Sequence, residues 1–209
     1  MTSSAAGIVV RPATRADLPA LSDLMAEAFV DTPIFRFLQP DDRTRRPLIR
    51  AWFAGLIRHG YPVVRAGMVA DDGSGPVGGA IWAPPGAWRV PWWRELLTLP
   101  RIVVAADRTA LRGFAARGTD VDRAMHAAHP AAPHWYLAAL GVAPTVQRQG
   151  VGTALLRAGL DRCRAEDMPT YLECREALLG YYGRFGFSPL RRVGLPDGAP
   201  AQFGMWREP

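Results

Sequence analysis

The chain has 209 residues, of which 49% are apolar and 21% charged, a balance that folds around a core and excludes a disordered chain. The net charge is +6 and every basic residue is an arginine, which favours phosphate-bearing partners, but the arginines are scattered with no basic tail or block, so no nucleic-acid partner is expected. Cys163 and Cys174 stand outside any CxxC spacing, and no uncharged apolar run reaches membrane-spanning length, so neither a disulfide scaffold, a zinc site nor a membrane partner is expected.

In chain order, residues 1–7 are small and polar and read as a loose arm. The apolar run after them is too short for a secretory leader, so a cytoplasmic location is expected. Residues 8–11 read as a first strand. Thr14 precedes Asp17 by three positions, resembling a capping box, and opens a helix with Leu18, Leu21, Leu24, Met25 and Ala28 on one face. Residues 29–40, with Pro33 and Pro40, read as a loop. A second helix is expected over residues 41–58. Two antiparallel strands come next, over residues 61–70 and 76–83, joined at Asp71-Asp72-Gly73-Ser74-Gly75. Gly78, Gly79 and Ala80 in the latter strand leave room for a close neighbour.

Residues 84–133 read as a helical insertion within a single domain spanning residues 1–209. It holds Trp88, Trp92 and Trp93 and helices over residues 95–104, 107–116 and 120–128. His126, His129 and His134 fall in or beside it. No acidic ligand pattern accompanies them, so packing or surface positions are expected and no metal.

The most informative stretch is residues 134–165. Residues 135–142 are apolar and aromatic without charge, which suits a strand buried on both faces. Ala143 and Pro144 end it. Gln147-Arg148-Gln149-Gly150-Val151-Gly152-Thr153 is a compact polar turn, and Ala154, Leu155, Leu156, Ala158, Gly159 and Leu160 then recur with helical spacing. Backbone N–H groups at a helix start lack internal partners and, with the helix dipole, suit a phosphate. Glycine at 150 and 152 permits close backbone approach, Arg148 adds positive charge and Thr153 a hydroxyl. Neither a Walker loop nor a GxGxxG spacing is present. Downstream, residues 170–174 read as a strand, 176–184 as a short helix closed by Gly186, and 188–193 and 202–207 as strands. Strand and helix segments thus mix into an α/β layout with a largely antiparallel early half.

Gln147-Arg148-Gln149-Gly150-Val151-Gly152 resembles the acetyl-CoA signature Gln/Arg-x-x-Gly-x-Gly/Ala of the GCN5-related N-acetyltransferases (GNAT), with Tyr182 and Gly186-Phe187 downstream in the family's spacing. Within that family, residues 80–85, 135–142 and 171–173 resemble the branch that contains puromycin N-acetyltransferase. The resemblance implies an α/β fold with a mixed, mostly antiparallel central sheet flanked by helices, GNAT-like, whose fourth and fifth strands splay. Pantetheine of acetyl-CoA would lie in the gap against main-chain groups of Leu140, Gly141 and Val142, with an amide at Leu140 or Val142 polarising the thioester carbonyl. The pyrophosphate would meet residues Gln147, Arg148, Gln149, Gly150, Val151, Gly152 and Thr153.

By the same resemblance, Tyr182 is the acid that protonates the departing thiolate, and its neighbour Tyr181 is less well spaced from Gly186. Glu173 on the fifth strand can take the amine proton, bind a cationic amine, or pair with Arg175. Glu27 and Asp31 are further candidates for substrate contact. The family's asparagine between fifth strand and tyrosine has no clear match in Cys174-Arg175-Glu176-Ala177-Leu178-Leu179-Gly180. The implied activity is acetyl transfer to a primary amine of a small molecule by direct attack, as a monomer or homodimer. The alternatives are a protein acceptor or a non-catalytic acyl-CoA-binding module.

Overall fold

The computed structural model describes residues 7–209; all but Gly7 of the expected N-terminal arm lies outside the described residues. Strands are β1 (Val9–Pro12), β2 (Met68–Asp71), β3 (Pro76–Ala83), β4 (Trp135–Val142), β5 (Thr170–Arg175), β6 (Ser188–Arg192) and β7 (Gln202–Arg207). Helices are α1 (Leu18–Phe29), α2 (Pro33–Leu38), α3 (Asp42–Gly55), α4 (Val63–Ala66), α5 (Trp92–Leu96), α6 (Leu99–Ala105), α7 (Arg108–Ala128), α8 (Val151–Ala165) and α9 (Leu179–Gly183). The strands form one sheet in the order β1-β2-β3-β4-β5-β7-β6, antiparallel except for the β4–β5 pair. This is the mixed, mostly antiparallel sheet that the resemblance implied.

Two cores lie on opposite faces of the sheet. Leu21, Met25, Ile49, Phe53 and Ile81 join α1 and α3 to one face; Trp82, Leu155, Leu156, Leu160 and Leu172 join α8 to the other. Alternation along β3 assigns the faces residue by residue. A Cβ on Gly78 would meet Leu155 at 3.0 Å, whereas one on Gly79 would meet Leu21 at 2.3 Å. A Cβ on Gly141, the cross-strand partner of Gly79, would meet Met25 Sδ at 2.7 Å. The small residues at these positions therefore let α1 lie directly on the backbone of β3 and β4.

The start of α1 is fixed by charge as well as packing. The Asp17 carboxylate accepts from the Thr14 N–H at 2.7 Å and from both Arg11 guanidinium nitrogens at 2.8 Å, while Arg11 also reaches Asp71 at 2.6 Å on β2. The Arg11 guanidinium holds the Asp17 carboxyl far below the usual carboxylate range. The box expected from Thr14 and Asp17 is thus part of a bridge from β1 to β2.

Three expectations are corrected. Residues 61–67 are not strand: Val63–Ala66 is a helical turn, with Ala66 N–H donating to the Pro62 carbonyl, because a short apolar run satisfies either period. Residues 29–40 are not all loop, since Pro33 is pre-set for the first turn of α2. The helices expected over 107–116 and 120–128 are one helix of 21 residues, capped by Asp107 through the N–H groups of Thr109 and Ala110 and running through Gly118. In the insertion, Trp92 and Trp93 are exposed, while Trp88 stacks on His129 at 3.6 Å.

Gly79→Ala should overpack the α1 contact and lower stability by about 1–3 kcal/mol. Gly118→Ala, where a Cβ meets nothing within 4 Å, should raise stability by about 0.5–1 kcal/mol. Urea denaturation of the two variants checks both signs.

Candidate active site

β4 and β5 pair only through Trp135↔Thr170, Tyr136↔Tyr171 and Leu137↔Leu172. Beyond that point β4 stays on β3 as far as Val142, and β5 stays on β7 as far as Arg175. The register between β3 and β4 jumps from Ile81↔Ala139 to Trp82↔Leu137, so Ala138 is the extra residue of a β-bulge. A bulge bends its strand and re-aims the side chains beyond it. Leu137 lies in the α8-side core and Ala139 in the α1-side core, so the bulge has switched which residues face α8. The splay begins at the bulge, and the facing edges of Leu140, Gly141 and Val142 and of Glu173 have no strand partner across the gap.

The 147–153 turn stands at the mouth of this gap. Gly150 adopts φ 85° as the residue before α8, and Arg148 adopts φ 63°. The first helical bond is Ala154 N–H to the Gly150 carbonyl at 2.9 Å, which leaves the N–H groups of Val151, Gly152 and Thr153 without partners earlier in the helix. No side chain caps α8 and its first turn carries no acid. A Cβ on Gly150 would meet open space, so this glycine is there for its backbone conformation. A Cβ on Gly152 would meet Val142 Cγ2 at 3.5 Å and Tyr181 Oη at 3.6 Å. The turn, the end of β4 and Tyr181 are therefore one cluster, and Gln147 Nε2 ties it by donating to the Val142 carbonyl at 3.2 Å. The side chains of Arg148 and Gln149 sit on its exposed rim, where Gln149 Nε2 donates to the Thr145 carbonyl at 3.3 Å. Tyr181 borders the cofactor turn, a position that its sequence spacing did not suggest.

Tyr182 and Glu173 fall on opposite faces of the sheet. Tyr182 is buried in the α8-side core with Cys174 and packs edge-on to Phe187 at 5.9 Å; burial pushes its phenol well above the ordinary tyrosine value. Glu173, like Tyr171 two residues before it, points to the other face. Its side chain is only 4% exposed, and its carboxylate comes within 3.5 Å of His129 Nδ1. Tyr136 stacks near Tyr171, and burial followed by the nearby Glu173 charge raises the phenols of Tyr136, Tyr171 and Tyr61. Among the described residues, Glu173 Oε1 and Tyr171 Oη are buried without a hydrogen-bond partner.

The histidines are where residue-by-residue reading fell short. His129 and His134 pack as expected, but around a carboxylate: His129 Nε2 lies 2.9 Å from His134 Nε2, and His134 Nδ1 lies 2.6 Å from the Ala132 carbonyl. Parallel pairing of β4 and β5 sets residues 135–137 beside 170–172, which brings His134 and Glu173 to the two ends of the paired stretch, a juxtaposition that only the strand register reveals. Burial holds His134 below its ordinary value. Two other candidates are engaged elsewhere: Glu27 pairs with Arg46, and Asp31 pairs with Arg36 at 3.2 Å and Arg45 at 3.3 Å. A hollow of about 340 Å³, lined by Pro85, Gly86, Trp88, Ala131, Ala132, Pro133 and His134, adjoins the histidines; a larger one of about 620 Å³ lies at the β6–β7 edge away from the splay.

The sheet opens between two parallel strands, with the start of α8 at the mouth of the opening, which is the arrangement that the resemblance implied. A family model described as the acetyltransferase (GNAT) family matches residues 35–187. A solved structure of a histone acetyltransferase HPA2-related acetyltransferase from Corynebacterium glutamicum is similar at 31% identity, 97% coverage of each chain and a TM-score of 0.70. The PaiA N-acetyltransferase from Thermoplasma acidophilum, solved with coenzyme A, has 14% identity over 97% of this chain and 99% of its own, with a TM-score of 0.58. The NatC complex bound to Gag peptide and CoA has 14% identity over 97% of this chain and 98% of its own, with a TM-score of 0.55. The chain belongs to the GNAT acetyltransferase family, and acetyl-CoA is its cosubstrate.

The site carries a pH signature. The unfolded chain binds a proton at His134 near the ordinary value of about 6.5, whereas burial lowers that value in the fold. Below about 6.5 the unfolded state therefore holds more protons, and stability drops as the pH is lowered. Urea midpoints should be lower at pH 5.5 than at pH 7.5, and His134→Gln should narrow that difference.

Proposed function

We propose that the chain transfers the acetyl group of acetyl-CoA to a primary amine of a small molecule by direct attack, with no covalent enzyme intermediate, within a single acetyltransferase domain. The observation that carries this reading is the parting of β4 and β5, with the open start of α8 at its mouth and a buried carboxylate behind it. The pyrophosphate is held by the backbone N–H groups of residues 149–153, with Gln147 bracing the turn and Arg148 supplying charge. Pantetheine pairs with the free edge of Leu140, Gly141 and Val142, and an amide there polarises the thioester carbonyl. The amine enters from the Glu173 side and gives up a proton to Glu173. Tyr182, on the α8 side, protonates the departing thiolate.

A small acceptor is supported by the confinement of Glu173. Trp88 and His129 from the insertion, with Tyr136 and Tyr171, wall the carboxylate, and the adjoining hollow is near the lower end of small-molecule pocket volumes. The likeness to the puromycin N-acetyltransferase branch supports the same class.

Two variants separate binding from chemistry. Gly150→Val forces a branched residue into a left-handed conformation at a cost of about 1–2 kcal/mol, and calorimetric titration should show acetyl-CoA bound at least about tenfold more weakly. Tyr182→Phe should keep wild-type acetyl-CoA affinity and lower kcat by about 100-fold or more in a thiol-release assay over an amine panel that includes puromycin and peptide N-termini. Unchanged affinity in the first variant contradicts the phosphate cradle, and an unchanged kcat in the second removes Tyr182 from the chemistry.

A further inference from the structure

The hydrogen-bonded row behind Glu173 has a proton count of its own. His134 Nδ1 lies 2.6 Å from the Ala132 carbonyl, which only accepts, so that nitrogen carries a proton. Burial disfavours a second proton on His134, so its Nε2 presents a lone pair. His129 Nε2, 2.9 Å away, must then be the donor between the two rings. That leaves His129 Nδ1 as the remaining nitrogen, facing Glu173 Oε1 at 3.5 Å. With both groups unprotonated, two lone pairs oppose each other in a buried space. One added proton between them completes the row.

We infer that Glu173 and His129 act as one proton-accepting pair, in which Glu173 meets the amine and His129, oriented by His134, stores the proton. The assignment rests on the acetyl-transfer reading of the splay. His129 and His134 are positioning residues that act through Glu173. As the amine nitrogen bonds to the acetyl carbon and the C–S bond breaks, the nitrogen loses one proton to Glu173, which passes one from Oε1 to His129 Nδ1. The thiolate takes its proton from Tyr182. After product release the stored proton returns to solvent and the tyrosinate regains one.

An aromatic face lies against His129. The Trp88 ring lies 3.6 Å from the His129 ring at an interplanar angle of 14°, presenting its negative face. Transfer from the pair's anionic to its neutral form also removes a net charge from a buried site. A lone carboxylate, with an ordinary value of about 4.3, is a weak acceptor for an amine proton, whereas an imidazole at about 6.5 is a better one.

The other groups facing the pair do not duplicate this role. They are His134 and Tyr136 on and before β4, Tyr171 on β5, Tyr61 before α4, and His126 on α7, which is exposed and faces Asp122 at 3.3 Å. Arg191 on β6 acts on Tyr171 from outside the row.

The first test needs no acceptor. Side-chain ¹⁵N–¹H correlation of the protein's 4 histidines should show His134 protonated at Nδ1. In Glu173→Gln, the pH at which His129 gains its Nδ1 proton should fall by about one unit or more, with His126 unmoved. In the thiol-release assay, His129→Asn should lower kcat about tenfold with little change in KM, and move the acid limb of the pH–rate profile. His129→Asn with a wild-type profile, while Glu173→Gln alters it, would overturn the pair; so would an unmoved His129 titration in Glu173→Gln. The titration is read with both rings intact, so it decides the matter even if His129→Asn does not fold. A wild-type protein that binds no acetyl-CoA overturns instead the transfer reading beneath the inference.

Discussion

One extra residue in β4 governs the arrangement. The bulge at Ala138 ends the parallel ladder between β4 and β5 after Leu137 and Leu172, and the rest of the site depends on that separation. Backbone groups that leave a ladder need other partners. Here they line the gap between the two strands. The same bulge switches which side chains of β4 face α8. Leu140 and Val142 then pack toward α8 and Gly141 turns to Met25, so the sheet can open without losing either core. The close seat of α1 on Gly79 and Gly141 holds β3 and β4 together on the intact side of the opening.

The opening separates two kinds of chemistry across the sheet. On the α8 side are the bare helix start, the left-handed Gly150, Tyr181 beside Gly152, and Tyr182 in the core. This side suits an anionic cofactor and a proton donor. On the other side a carboxylate is enclosed by aromatic rings and two histidines, with the insertion supplying Trp88 and His129. This side suits a cationic or neutral amine and a proton acceptor. β5 links the two, since Cys174 faces Tyr182 and Glu173 faces His129 from adjacent positions on one strand.

Much of the α8 side could be read directly. The turn over residues 147–153 and the periodicity of α8 are local features, and local spacing fixes them. The alternation of β3 likewise foretold that Gly78 and Gly79 serve packing. The Glu173 side was far less legible. His129 meets Glu173, and His134 meets His129, because the parallel register sets residues 35 positions apart side by side on β4 and β5, and no local period encodes that. The errors at residues 61–67 and in α2 are both in short segments. Residues 61–67 are a short apolar segment whose period does not distinguish helix from strand, whereas in α2 a proline read as a breaker sits in the first helical turn. The long α7 was divided at Gly118 because a glycine weakens a helix locally, but its neighbours Val121 and Met125 are held by the core.

The most direct measurement is backbone ¹H–¹⁵N mapping of the protein titrated with acetyl-CoA. The largest shifts should fall in residues 140–142 and 149–153, with a second group at Glu173 and Tyr181 as the thioester arm enters the splay. Shifts confined to the β6–β7 edge, or none on saturation, would contradict the claim that the parting of β4 and β5 is the acetyl-CoA site.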